Sequence, residues 1–218
     1  MQTKGWERIY QERGQVHFRI LPKIRRASAL FKARDYKKIL DLGCGTGRHS
    51  IYLAKAGFDI YATDISPTGV EIARKKAESL GLYDIHFHQH DMRIIPFADN
   101  FFDAVICTRT IQHGMLAQIR KAIAEIYRVL KTNGIVITDL PSTATESYGL
   151  GRELEKNTFV GARKMEEDVI HHYSTKEEIL QLFSVFRQLS VRLCTVYYKD
   201  KKTGKKYLSK RFHVQAVK

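Results

Sequence analysis

The stretch Lys38-Ile39-Leu40-Asp41-Leu42-Gly43-Cys44-Gly45-Thr46-Gly47-Arg48 decides how the rest of the chain is read. Aliphatic residues around Asp41, then glycine at every second position, then an amphipathic run from Ser50 to Ala56 give a buried strand, a tight turn and a helix. Glycine allows positive φ and lets the backbone come within contact of a ligand with no Cβ in the way. The spacing Gly43, Gly45, Gly47 is G-x-G-x-G, which differs from the dinucleotide fingerprint G-x-G-x-x-G. A Gly-rich turn of this kind is weak evidence by itself.

Working outward, the run Asp59 to Thr63 is a second strand ending in Thr63-Asp64, so an acid follows the glycines by about 20 residues, where Rossmann-like sheets reach ribose hydroxyls. Ser66 caps the next helix with Pro67 in its first turn, and Gly81 ends it. Asp84 to Gln89 predicts a third strand leading to Asp91-Met92, and Ala104 to Thr108 a fourth. A helix over Leu116 to Leu130 and a Thr132-Asn133-Gly134 turn precede a fifth strand, Ile135 to Leu140. Strands alternating with helices of this length require a parallel sheet with right-handed crossovers.

The series D-L-G-C-G-T-G, T-D-I-S, H-D-M and F-F-D-A-V-I-C, in that order and spacing, resembles the class I S-adenosylmethionine-dependent methyltransferases, most strongly over residues 36 to 140. The resemblance implies an α/β, three-layer Rossmann-like fold. Its seven-stranded, mostly parallel sheet would end in an antiparallel β-hairpin, behind an N-terminal helical arm. It implies S-adenosyl-L-methionine as cofactor. Gly43, Gly45 and Gly47 would approach the methionine part, Asp41 would help hold its ammonium, Asp64 would take the ribose hydroxyls, Ile65 would lie against the adenine, and Asp91 and Met92 would meet the adenine edge.

A single domain is expected over 1–218: arm 1–36, cofactor core 37–140, substrate-facing insertion 141–173, and helix plus hairpin 174–218. The insertion has few apolar repeats. Thr175-Lys176-Glu177-Glu178 is a capping box opening a helix through Phe186. Leu189 to Tyr198 and Tyr207 to Val217 alternate around a Lys-rich turn and read as the hairpin. Cys44, Cys107 and Cys194 are three, widely spaced and expected to be core residues, which fits neither a disulfide framework nor a zinc cluster.

The net charge of +14 sits at the ends: residues 1–40 carry +8 and residues 199–218 carry +7, leaving −1 between them. Concentrated charge points to an anionic acceptor or partner, and equally to plain solvation of a small domain. No window approaches the roughly 18 apolar residues of a membrane span, and the first residues lack a signal-peptide core, so a cytoplasmic protein is expected.

Methyl transfer from a sulfonium needs positioning and desolvation more than an obligatory side chain. Arg109 and His113 follow the fourth strand, where the family borders the transferable methyl. Arg109 is a candidate contact to an anionic acceptor or to the cofactor carboxylate, and His113 to orient or deprotonate a nucleophile. His171-His172 is a second candidate. Adjacent residues of a strand face opposite ways, so only one of the pair can enter a pocket, and His172 is taken with Arg109 and His113 as the catalytic set. No acid or thiol stands at metal-ligand spacing from the pair, so no metal is expected. Trp6 and Tyr10 are either lid residues over the cofactor or anchors of the arm. The acceptor expected is a small molecule. RNA, tRNA in particular, favoured by the two basic ends but without any recognised RNA-binding module, and a non-catalytic cofactor-binding subunit are the rival readings.

Overall fold

A computed structural model describes residues 2–161, 165–199 and 206–218. Two helices, α1 (Gln2–Arg13) and α2 (Pro22–Ala33), precede β1 (Lys38–Leu42). There follow α3 (Arg48–Lys55), β2 (Asp59–Asp64), α4 (Pro67–Glu78), β3 (His86–Gln89), β4 (Phe102–Cys107), α5 (Leu116–Val129) and β5 (Leu130–Pro141). The remainder is β6 (Arg152–Glu155), β7 (Thr158–Val160), β8 (His171–His172), α6 (Lys176–Leu182), β9 (Gln188–Lys199) and β10 (Lys206–Val217). The main sheet has the order β3-β2-β1-β4-β5-β10-β9, with β10 antiparallel to both neighbours and the other pairs parallel. The Rossmann-like expectation therefore holds, including the closing hairpin.

Alternation along the strands assigns each residue to one of two cores. Leu40, Leu42, Val105 and Val136 face α5 and α6, where Ile119, Ile123, Ile126, Ile179 and Phe183 are buried with them. Ile39, Ile60, Ala104, Ile106 and Ile137 face the other layer, where Ile24 and Phe31 of α2 and Leu53 of α3 are buried. The same alternation turns Asp41 toward α3. Ser66 caps α4 as expected, accepting from Gly69 N at 2.9 Å.

Four departures from the sequence reading have local causes. Thr132-Asn133-Gly134 does not separate α5 from a later strand. Leu130 already pairs with Phe102, residues 131–134 bulge outward opposite Asp103, and pairing resumes at Ala104↔Ile135; Asn133 takes a positive φ of 66° there. In the insertion, β6, β7 and β8 form a separate three-stranded sheet that short, polar strands without apolar alternation could not announce. Helix α6 stops at Leu182, short of Phe186. Its N-cap Thr175 accepts from Glu178 N, but the Glu178 carboxylate turns to His172. Finally, Cys44 and Cys107 are buried while Cys194 on β9 is only half-buried.

Because β10 is antiparallel to β5 and β9 to β10, Lys199 and Lys206 lie at the end of the sheet where β1, β2, β4 and β5 finish. The register Arg211↔Pro141 leaves five further residues of β10, back to Lys206, beyond the sheet's carboxyl edge. The expected Lys-rich turn itself, with Lys201, Lys202 and Lys205, lies outside the described residues.

Candidate functional site

Beyond the carboxyl ends of the strands, where doubly wound sheets bind ligands, a first cavity opens between the β1–α3 loop and helix α1. Its space, mouth included, is about 970 Å³. The loop is held from below: Gly43 N and Cys44 N donate to Thr63 O at 2.7 and 2.9 Å. Gly45 N and Ser66 N donate to the two oxygens of Asp64 at 2.8 and 2.9 Å. Burial pushes the Asp64 carboxyl up, against those backbone donors.

Gly43 has φ 77°, and a Cβ there would stand 2.2 Å from Thr110 Cγ2. Gly47 has φ 78°, and its Cβ would meet Ala73 Cβ at 2.8 Å. The first glycine therefore lets the loop after β4 close on the cavity, and the last lets α3 pack on α4. Gly43, Gly45, Asp64, Ile65, Asp91 and Met92 all line the cavity, whereas Asp41 and Gly47 do not. Asp41 lies beneath the loop, 1% exposed, with Ser50 Oγ donating to it at 2.6 Å; burial raises its pKa to about 6. Asp91 accepts from Arg93 N and Nε, both at 2.8 Å. Burial works upward on it, but the Arg93 hydrogen bonds outweigh that and hold it below the ordinary carboxylate range.

Helix α1 roofs this cavity. Tyr10 is 6% exposed, and its hydroxyl comes so close to Gly45 that a Cβ there would be 2.6 Å from it. Glu7 ties the helix down by accepting from Ser66 Oγ and Thr68 Oγ1, both at 2.5 Å. Trp6 and Tyr10 are thus both wall and anchor. His49, which the sequence reading passed over, is buried on the same wall. Leu21 N donates to its Nε2 at 3.4 Å and its Nδ1 lies 3.2 Å from Thr108 Oγ1. Burial, then Arg48 and Lys23, push its pKa down to about 2, so the ring is neutral.

A second cavity adjoins the first, and Trp6, His17, Arg109 and His113 line both. Arg109 takes a positive φ of 56°, a strained setting for a side chain of its size, and its backbone N donates to Asp139 Oδ1 at 3.1 Å. Trp6 Nε1 donates to His113 Nδ1 at 3.1 Å. The far walls come from the insertion, with Thr145, Glu146, Ser147, Leu150 and Glu166, and from β10, with Tyr207, Leu208, Ser209 and Arg211.

Behind the second cavity lies a buried ion cluster. Asp139, 1% exposed, stands between Lys23 of α2 and Arg211 of β10. The two cations overcome the cost of burial and hold its carboxyl far below the ordinary range. No spacing in the sequence links these three positions. Of the histidine pair, His171 stacks edge-on against His113 at 5.0 Å and lies 2.9 Å from Glu166. His172 is fully buried between Thr158 Oγ1 at 2.7 Å and Glu178 Oε2 at 2.8 Å, and lines neither cavity. Strand alternation does send one histidine toward the site, but it is His171. The structure separates His172 from Arg109 and His113.

Residues 39–134 match the family described as a methyltransferase domain. A demethylmenaquinone methyltransferase of Thermus thermophilus is 37% identical over 131 residues, 58% of this chain and 57% of that protein. A Bacillus subtilis protein named as the putative methyltransferase YqeM is 33% identical over 156 residues, 71% of this chain and 57% of that one. The chain thus spans somewhat more than half the length of these relatives. Among solved structures, an S-adenosylmethionine-dependent methyltransferase of Methanosarcina mazei superposes with a TM-score of 0.72 at 22% identity, covering 91% of this chain and 98% of that one. Residues 39–134, somewhat under half of the chain, thus match a methyltransferase domain, and the fold is that of the Methanosarcina protein; S-adenosylmethionine is the cofactor that this likeness implies. Among the described residues no helix is long and apolar enough to cross a membrane.

Proposed function

We propose that the protein transfers the methyl group of S-adenosylmethionine to a small-molecule acceptor seated in the second cavity. The observation that supports this most directly is the shared wall: Trp6, His17, Arg109 and His113 border both spaces. A methyl donor in one and an acceptor in the other would meet there.

In this reading Asp64 takes the ribose hydroxyls at the end of β2, and Ile65 and Met92 lie against the adenine with Asp91 at its edge. The loop at Gly43 and Gly45 passes along the methionine part. Asp41, spent on Ser50 beneath the loop, supports it and does not hold the ammonium directly. The cofactor's sulfonium supplies both the electrophile and the leaving group. The chain's contribution is alignment and exclusion of water by α1, the insertion and β10. Indole nitrogen only donates, so Trp6 occupies the lone pair of His113 Nδ1. The Gln112 amide stands 3.0 Å from His113 Nε2, so in this reading both ring nitrogens are engaged by the protein and His113 shapes the wall instead of serving as a base.

The finer reading, an anionic acceptor, is favoured by Arg109 and Arg211 on the second cavity's wall. The test is release of S-adenosylhomocysteine on incubation with the cofactor and separate pools of carboxylic acids, amines, thiols, demethylmenaquinone and tRNA. Turnover with a small-molecule pool supports the proposal. Turnover with tRNA alone, or failure to bind S-adenosylhomocysteine by calorimetry, overturns it.

A further inference from the structure

The start of α3 and the end of β4 bring Thr46, Arg48, His49 and Thr108 into the lining of the first cavity. The contacts proposed for the cofactor's adenosine part use none of these four. Helix α3 begins at Arg48 behind Gly47, whose missing side chain leaves the helix start without an N-cap hydrogen bond. Asp41 takes up Ser50 from beneath, by its hydroxyl and its backbone. Thr46 is 5% exposed, yet among the described residues its hydroxyl has no hydrogen-bond partner. A polar side chain buried to that degree is normally satisfied.

Thr108 is 6% exposed, and its hydroxyl has a fixed sense. His49 is neutral, and Leu21 N donates to its Nε2 at 3.4 Å. The ring's one hydrogen is therefore on Nδ1, which lies 3.2 Å from Thr108 Oγ1 and donates to it. The hydroxyl hydrogen of Thr108 then has to point elsewhere, and no acceptor among the described residues takes it. Arg48 is a further donor. Its Nη1 donates to Arg19 O at 3.2 Å, and the guanidinium makes no ion pair among the described residues. Burial, then the neighbouring charge of Arg109, hold its pKa below the ordinary value, against the pull of Asp41, Tyr10 and Asp139.

The acids lining this cavity are Asp64 and Asp91. Asp64 is engaged by Gly45 N and Ser66 N, and Asp91 by Arg93. Glu146 and Glu166 line the second cavity only. Two hydroxyls, a helix start and a guanidinium thus line one space with hydrogens to give and no carboxylate of the chain placed to take them. We infer that this wall holds the α-carboxylate of the cofactor's methionine part, with Arg48 and Thr108 donating to its oxygens and Thr46 closing the seat beside the loop. His49 is a positioning residue, because it acts through Thr108 by fixing which way the hydroxyl points. The inference rests on the methyltransferase reading and goes beyond it by assigning the amino-acid end, which Asp41, spent beneath the loop, does not hold.

The test compares, by calorimetry, S-adenosylhomocysteine with its decarboxylated analogue, which keeps the amine. Wild type should bind S-adenosylhomocysteine about tenfold or more tighter, the worth of charge-assisted hydrogen bonds. Arg48→Met keeps the apolar stem. It should bring the two affinities within about threefold by weakening S-adenosylhomocysteine and leaving the analogue unchanged, which also shows the variant to be folded. Thr108→Val should narrow the preference by a smaller factor. His49→Leu should match Thr108→Val, and His49→Asn, whose amide N–H stands in for Nδ1–H, should restore the preference; a merely structural loss at His49 would lower both affinities alike. Equal binding of the two compounds by wild type, or an unaltered preference in Arg48→Met, overturns the inference while the methyltransferase reading stands on S-adenosylhomocysteine binding. Binding of neither compound overturns that reading and the inference with it.

Discussion

The two cavities share a wall but are assembled in opposite ways. Apart from its roof, the first is built from consecutive loops at the ends of β1 to β4, and its key acid, Asp64, is held by backbone N–H groups of Gly45 and Ser66. The second draws on α1, the loop after β4, the insertion and β10, and is held by side chains meeting side chains, with an ion cluster buried behind it. A site made from backbone and short loops tolerates much change around it. One made from long-range charge and hydrogen-bond pairs depends on each member, because a buried partner left alone keeps its desolvation cost.

The largest expected effect falls on the second cavity. Asp139→Ala leaves Lys23 and Arg211 buried against each other, and stability measured by urea unfolding should drop by about 3 to 5 kcal/mol. Adding Lys23→Met should recover part of that loss, since it removes one of the stranded charges. A loss below about 1 kcal/mol would show that the cluster contributes little and that the comparison between the cavities is wrong.

Next comes the first cavity's own test. Asp64→Ala should weaken S-adenosylhomocysteine binding by roughly 1 to 3 kcal/mol in calorimetry, the value of charge-assisted hydrogen bonds. Its effect on folding should be smaller than that of Asp139→Ala, because it strands two neutral backbone donors, Gly45 N and Ser66 N, and no buried charge. Unchanged affinity would remove Asp64 from the cofactor's contacts.

His49 sets a third effect, on acid sensitivity. Its pKa is about 2 when folded against 6.5 as a free histidine. Between those values the unfolded chain binds the proton and the folded one does not, so stability falls as pH drops below 6.5, by up to about 1.4 kcal/mol per unit. Asp41 works the other way: raised to about 6 from 3.8, it takes up its proton first in the folded state, so acid favours folding between those limits. His49→Asn should therefore reduce the slope of stability against pH between about 4 and 6 by roughly 1.4 kcal/mol per unit. An unaltered slope would mean that His49 is protonated in the folded protein.

The same contrast explains what could be read in advance. Asp64, Ile65, Asp91 and Met92 follow strands whose ends the sequence marks, and the sheet carries them to one place whatever the side chains do. Asp41 lies beneath the loop because a strand alternates: with Leu40 and Leu42 packed toward α5, it faces α3. The ion cluster joins positions 23, 139 and 211 through α2, β5 and β10, and each reads locally as an unremarkable charge. His49 was hidden inside the glycine motif, where the eye goes to the backbone. Gln112 carries no signal until Trp6 and Arg211 are seen on either side of its neighbourhood.

The smallest effect on turnover is expected at His172, which the sequence reading grouped with Arg109 and His113. Its Nδ1 lies 2.7 Å from Thr158 Oγ1, its Nε2 2.8 Å from Glu178 Oε2, and its backbone N donates to Gln112 O at 2.9 Å. The ring is therefore used up in joining β7 to α6, and only its backbone touches the loop that bears the site. His172→Gln should cost about 1 to 2 kcal/mol of stability through the lost or lengthened side-chain bonds. Turnover and cofactor affinity at a temperature well below the transition should stay within about twofold of wild type, since no interaction made in the transition state is removed. The backbone link to Gln112 gives the result an edge. A fall in turnover of tenfold or more with cofactor affinity intact would mean that β8 sets the geometry of the wall, and that the second cavity extends one layer deeper than its lining.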